Sequence, residues 1–209
     1  MPSDYEKQSY WHTRFASEKS FEWLIPSATF MDIIEPHLQQ LPSSAAILHF
    51  GLGTSDLQNH LRKRGFTNIT NADYEELAIE HGRQRELDAF GDVQMTYLVA
   101  DATCLDMPER QFDLVVDKCA ADAISCGGSD ALLSAAQEIA KYLAPDGIWI
   151  SLSYSASRFE LPQLPFEVQV ISRIPAPKLK PTDPDIYHYC YLLRPKRHPG
   201  SWEIPESSL

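Results

Sequence analysis

The chain has 209 residues, 44% of them hydrophobic and 22% charged, which suffices for one well-buried α/β domain and argues against disorder beyond the ends. With 29 Asp and Glu against 18 Lys and Arg the formal charge is -11, a balance that disfavours nucleic acid and anionic membrane surfaces and tolerates a cationic ligand. No apolar run reaches a membrane span and Met1 to Gln8 lacks a charged-then-apolar leader pattern, so a cytoplasmic protein is expected.

Two helices are expected ahead of the first strand, over Tyr5 to Lys19 and Ala28 to Leu38. Ile47 to Phe50 reads as a short buried strand that breaks into Gly51-Leu52-Gly53. Thr54 to Arg64 follows as a helix, with Leu57 and Leu61 four apart and Gly65 as its stop. Asn68 to Ala72 is a second strand, Tyr74 to Ala89 a helix, and Val93 to Ala100 a third strand ending at Asp101. Phe112 to Val116 is apolar on both faces, as a central parallel strand under two helical layers must be, and ends at Asp117. Ser129 or Asp130 caps a helix through Leu143, after which Ala144-Pro145-Asp146-Gly147 turns the chain into a fifth strand, Ile148 to Tyr154. Phe166 to Ile174 and Ile186 to Arg194 are separated by a proline-rich loop too short for a crossover helix, so they are expected to pair antiparallel. The four cysteines show neither CxxC nor metal-ligand spacing, and no metal site is expected.

The expected fold is therefore α/β: five parallel strands plus a C-terminal antiparallel hairpin, with helices on both faces. It is read as one domain, with a helical lid over residues 1–43, a core over 44–155, and the hairpin and substrate side over 156–209. Ligands of such sheets bind outside the carboxyl ends of the strands, where Asp73, Asp101, Asp117 and the glycine turn all fall. Gly51 and Gly53 free the backbone to approach a ligand, and Asp73 lies 22 residues after Gly51, the place of a carboxylate that accepts from ribose hydroxyls. A turn with a capping Asp is the structural alternative. A pyrophosphate calls for a third glycine where this chain has Asp56, which argues against a nicotinamide dinucleotide. A sulfonium instead gains from carboxylates and aromatic faces, which points to S-adenosylmethionine, with S-adenosylhomocysteine as product. Asp101 and Ala102 are placed for adenine, and Asp117-Lys118 for the methionine part or the reaction centre.

At this point the chain resembles the class I (Rossmann-like, seven-stranded) S-adenosylmethionine-dependent methyltransferases. Within them it is similar to the eukaryotic lysine methyltransferases of translation elongation factors and to stand-alone fungal small-molecule N-methyltransferases. The resemblance runs from about Tyr10 to Gly147. It rests on Tyr10-Trp11-His12-Thr13-Arg14-Phe15, Phe21-Glu22-Trp23, Phe50-Gly51-Leu52-Gly53-Thr54-Ser55, Asn71-Ala72-Asp73-Tyr74 and Phe112 to Lys118 with Asp122-Ala123. It implies cofactor contacts at Trp11, Arg14, Phe15, Trp23, Gly51, Gly53, Asp73, Tyr74, Asp101, Ala102, Asp117 and Lys118. The lid aromatics would exclude water and offer π faces to the sulfonium; plain helix packing is their other reading.

Where the lysine methyltransferases carry Lys-Gly-Thr after strand four, this chain has Lys118-Cys119-Ala120-Ala121, which reshapes the acceptor pocket. His49 replaces an apolar residue of that group and is read as a packed histidine or as part of cofactor or proton handling. Asp117, Lys118, Asp122 and His188 are the candidates for the chemistry by strand-end location, with Tyr154 beside them. Three readings stay open: an N-methyltransferase of a small molecule, such as an amine or cyclic-dipeptide amide of fungal secondary metabolism; a lysine methyltransferase acting on a basic protein; and a cofactor-binding subunit without catalysis.

Overall fold

A computed structural model describes residues 4–107 and 111–196. Seven strands, β1 (Ile47–Phe50), β2 (Ile69–Asp73), β3 (Thr96–Val99), β4 (Phe112–Lys118), β5 (Leu143–Ser153), β6 (Phe166–Pro175) and β7 (Tyr187–Pro195), form one sheet in the order β3-β2-β1-β4-β5-β7-β6. The first five run parallel, and β7 inserts antiparallel between β5 and β6. This is the expected pattern of five parallel strands and a closing antiparallel pair. β6 forms the edge, with a register shift between Val170 and Ser172.

Six helices complete the described chain: α1 (Gln8–Ser17), α2 (Ser27–Leu38), α3 (Leu57–Lys63), α4 (Glu76–Phe90), α5 (Ala120–Ser125) and α6 (Ser129–Tyr142). Alternate residues of the central strands feed two cores, as the two-residue side-chain period requires. Ile47, Ile69, Leu114 and Ile150 pack with Phe30 and Ile34 of α2 and Leu57 and Leu61 of α3. Leu48, Phe50, Val115 and Trp149 pack on the other face with Leu132 and Ile139 of α6. All four residues of β1 are buried, which explains why the strand reads as a continuous apolar run.

Several boundaries depart from the sequence reading. α1 begins at Gln8, and α3 begins at Leu57 because the chain spends 51–56 on the turn after β1. β5 begins at Leu143, since the expected Ala144–Gly147 turn lies extended and Leu143 pairs with Phe112 before the ladder shifts register. The six-residue α5 was not expected at all. The expected 156–209 region is described only to 196. The strand order reverses between β1 and β4, and the crevice this creates opens at the ends of β1, β2 and β4.

Candidate active site

Two positive-φ glycines shape the exit from β1: Gly51 at +63° and Gly53 at +52°. A Cβ added to Gly51 would stand 2.2 Å from Cβ of Ala120, so its immediate neighbour is the first residue of α5. Around Gly53 there is space, with Phe15 of the lid 3.9 Å from such a Cβ. The gap between the glycine turn and α5 belongs to a cavity of about 560 Å³, which spans the carboxyl ends of the parallel strands.

Asp73 closes β2 with its side chain buried at this cavity. Gly53 N–H donates to Oδ2 and Glu75 N–H to Oδ1, both at 2.9 Å, which orients the carboxylate toward the turn. Burial outweighs these bonds and pushes its pKa up to about 6. Tyr74 follows on the cavity wall, its phenol pushed up by burial and by the Asp73 charge. Asp101 lies exposed beyond β3, where its Oδ1 accepts from Thr103 N–H and Oγ1, both at 2.8 Å; Ala102 lines the wall next to it.

Three of the four candidates for the chemistry are engaged by other contacts, and the fourth, His188, lies outside the cavity lining. Asp117 is fully buried and does not line the cavity. Trp149 Nε1 donates to its Oδ2 at 2.9 Å and Ala121 N–H to its Oδ1 at 3.1 Å; burial pushes its pKa up to about 7. Its role is to seat α5 on the sheet. Lys118 lines the cavity, but its Nζ is held by Glu22 at 2.5 Å and by the carbonyls of Trp23 and Ile25 at 3.2 and 3.3 Å. Asp122 accepts from Ser153 Oγ, from Tyr154 N–H at 3.0 Å and from Arg158 Nε at 2.7 Å. Its pKa is raised by burial. His188 sits on β7 opposite Ile174, outside the lining, with its pKa lowered by burial. His49 is fully buried, bonded through Nδ1 to Asn71 Oδ1 at 3.1 Å and pushed down to about 4, a packed neutral histidine.

The lid forms an aromatic cluster over the glycine turn. Trp11 packs on Phe15 and Trp23 with ring centroids 5.3 and 6.1 Å apart, and its Nε1 donates to the Tyr5 carbonyl at 2.7 Å. Trp11, Phe15 and Trp23 all line the cavity. Arg14 does not: its guanidinium pairs with Glu18 at 2.6 Å and lies over the Trp23 and Phe21 rings, 4.7 and 4.9 Å from their centroids. It stiffens the lid from outside. Glu22 ties the strap to the turn, because its Oε1 accepts from Asp56 N–H at 3.2 Å as well as from Ser27.

Part of the wall was not placed at the site by sequence reasoning: Ile124, Cys126 and Gly127 come from α5 and the turn after it, next to the Cys119 and Ala123 already singled out, and Tyr5 and Glu6 from the start of the lid. A positive φ of 71° at Cys119, where no glycine flags it, makes the α5 turn silent in the sequence.

The lining fits an adenosyl sulfonium better than a dinucleotide. Lys118 is its one basic side chain among the described residues, and that is bound to Glu22, which leaves no cation for a pyrophosphate. Among the described residues no cluster of His, Cys, Asp and Glu is disposed to hold a metal ion, and no helix is long and apolar enough to cross a membrane.

A family model described as a methyltransferase domain matches residues 47–147. Methyltransferase srdJ of Neurospora crassa is 64% identical over 201 residues, 94% of this chain and 86% of that protein. EEF1A lysine methyltransferase 4 of Bos taurus is 27% identical over 168 residues, and the match spans 74% of this chain and 64% of that protein, under two thirds of its length. The fold superposes on N-methyltransferase NodS from Bradyrhizobium japonicum, solved with S-adenosyl-L-homocysteine, with a TM-score of 0.66 at 14% identity over 89% of this chain and 99% of that one. The strand order, the relative at 64% identity and a lining suited to a sulfonium converge, and the chain belongs to the class I S-adenosylmethionine-dependent methyltransferases.

Proposed function

We propose that the enzyme transfers a methyl group to a nitrogen of a small molecule, drawn into the same chamber as the donor. One observation carries this reading: the donor-side acids Asp73 and Asp101 and the acceptor-side wall of Ile124, Cys126 and Tyr154 line a single cavity of about 560 Å³ under the lid. That is a volume for two small ligands in contact, within the usual range for small-molecule sites.

When bound, S-adenosylmethionine supplies a methyl carbon already activated by its sulfonium. Asp73 would accept from the ribose hydroxyls, Asp101 Oδ2 from the adenine amino group, and the Trp11, Phe15 and Trp23 cluster would keep water out. The acceptor nitrogen must arrive with a free lone pair. Asp117 and His188 do not line the cavity and Lys118 and Asp122 are engaged by Glu22 and Arg158, so the protein contributes alignment more than base catalysis, and alignment alone is worth about 7–11 kcal/mol at best.

The net charge of -11 and the elongation-factor relatives support the competing reading of a basic protein acceptor. Incubating the enzyme with methyl-labelled cofactor and a Neurospora crassa extract, then separating protein from small molecules, tests both. Label in the small-molecule fraction is expected; label confined to a protein band overturns the proposal in favour of the competing one.

A further inference from the structure

Resting on the reading that the acceptor is a small nitrogen compound, we infer that Tyr154 and Glu6 select it, and that it is a flat ring compound carrying an amine. Four carboxylates line the cavity among the described residues: Glu6, Asp73, Asp101 and Asp122. Asp73 accepts two backbone N–H groups, Asp101 two donors from Thr103, and Asp122 donors from Ser153, Tyr154 and Arg158. Glu6 accepts none of the hydrogen bonds seen among the described residues. Its Cβ stands 3.5 Å from where a Cβ on Gly127 would lie, which puts the root of this side chain beside the turn after α5.

Tyr154 lines the same cavity and is tied to α5 through Asp122. It is a large aromatic left 56% exposed, and it lines the cavity. The cost of exposing it is matched by a built support: Asp122 holds its N–H at 3.0 Å, and Arg158, bound to Asp122 and to Ser125, places its guanidinium 5.1 Å from the ring centroid. A ring so fixed on one side offers a rigid stacking surface on the other. Cys126 lines the cavity with both groups. Ile124, Gly127 and Ala131, apolar and mostly small, line the same cavity. Ring on Tyr154 and N–H on Glu6 would hold an acceptor across this turn, and with Asp122 neutralised by Arg158 the anionic contact falls to Glu6 alone.

The test uses the whole protein saturated with S-adenosylhomocysteine and three probes, benzylamine, cyclohexylmethylamine and benzyl alcohol, with binding read by ligand-observed NMR. Wild type is expected to prefer benzylamine to cyclohexylmethylamine by roughly fivefold, from the stacking contact. It should prefer benzylamine to benzyl alcohol by a similar factor. Tyr154→Ala should erase only the first preference, Tyr154→Phe should keep it, and Glu6→Gln should erase only the second. Absence of either preference in wild type, or its survival in the matching variant, overturns the inference. If S-adenosylhomocysteine itself does not bind, the methyltransferase site map fails instead, which separates the two.

Discussion

Gly51 and Ala120 meet so closely that one methyl group between them is already too many: the Cβ that Gly51 lacks would lie 2.2 Å from the Ala120 methyl. The glycine turn and α5 are therefore one packed unit joining β1 to β4. Gly51→Ala should destabilise the protein by about 3 kcal/mol, from the strained φ and the clash together. Adding Ala120→Gly should relieve the clash and restore part of the loss. Gly53→Ala, with open space around it, should cost only about 1–2 kcal/mol. Chemical denaturation of the three variants and the double variant measures the coupling, and strict additivity would mean the two residues do not touch.

Asp73 gives cofactor binding a pH signature. Its pKa in the free protein is about 6, and under the proposed function ribose hydroxyls would donate to the ionised form. Binding therefore favours the deprotonated state and releases a proton below that pH. The S-adenosylhomocysteine dissociation constant should be flat above pH 7 and rise about tenfold per unit as pH falls below 6. Asp73→Asn should bind weakly with no such limb. Calorimetry in two buffers of different ionisation enthalpy reads both the affinity and the proton.

The same raised pKa acts on folding with the opposite sign. A carboxyl whose folded pKa exceeds its unfolded value binds more protons when folded, so the contribution of Asp73 to stability falls as pH rises from about 4 to 6, and that of Asp117 as pH rises from about 4 to 7. His49, held neutral with a pKa of about 4, does the reverse and loses stability as pH drops from 6.5 toward 4. In His49→Phe the stability difference from wild type should change between pH 4 and 6.5 and stay constant above pH 7. A thermal-melt series across pH checks this.

Lys118 fastens the lid. Its ammonium is buried against Glu22 and two strap carbonyls, and removing one partner of such a pair costs about 3–5 kcal/mol. Lys118→Met should loosen the 18–26 segment, raise its cleavage by protease and weaken S-adenosylhomocysteine binding at least several-fold. Lys118→Met with Glu22→Gln should recover most of the stability without restoring the tight strap. Unchanged protease protection in Lys118→Met would show that the strap holds without it.

Asp117 and His188 are structural. Asp117→Ala orphans the donors Trp149 Nε1 and Ala121 N–H and should lower stability by about 2–4 kcal/mol. His188→Ala should leave the rate of methyl transfer within about twofold of wild type at every pH, because the side chain does not line the cavity. A pH–rate limb that disappears in His188→Ala would restore it as a base.

The centre of the sheet was legible in the sequence because its strands carry a burial pattern and a stop. Ile47 to Phe50 ending in glycine and Phe112 to Val116 ending in Asp117 are readable without any tertiary contact. Asp73 and Asp101 were legible as cavity residues for the same reason, since they sit at strand ends that periodicity locates. Ile124, Cys126 and Gly127 were not. α5 is too short to show a helical period and opens on a left-handed Cys119, which no residue-type signal marks. Side-chain roles assigned by strand-end position also misled where partners come from far along the chain: Lys118 reaches Glu22 and Asp122 reaches Arg158. A charge at the right place on a sheet edge reveals a location, and the company it keeps is decided only when the chain closes.

The indoles of the lid have an optical consequence. Trp11 and Trp23 border the chamber, whereas Trp149 is sealed in the core between Phe50, Phe159 and Phe166 with its N–H bound to Asp117. Emission from Trp11 and Trp23 should quench or shift when the chamber fills, while Trp149 glows as a constant background; with the fourth tryptophan, Trp202, which lies outside the described residues, replaced by Phe, the enzyme carries a built-in gauge of its own occupancy.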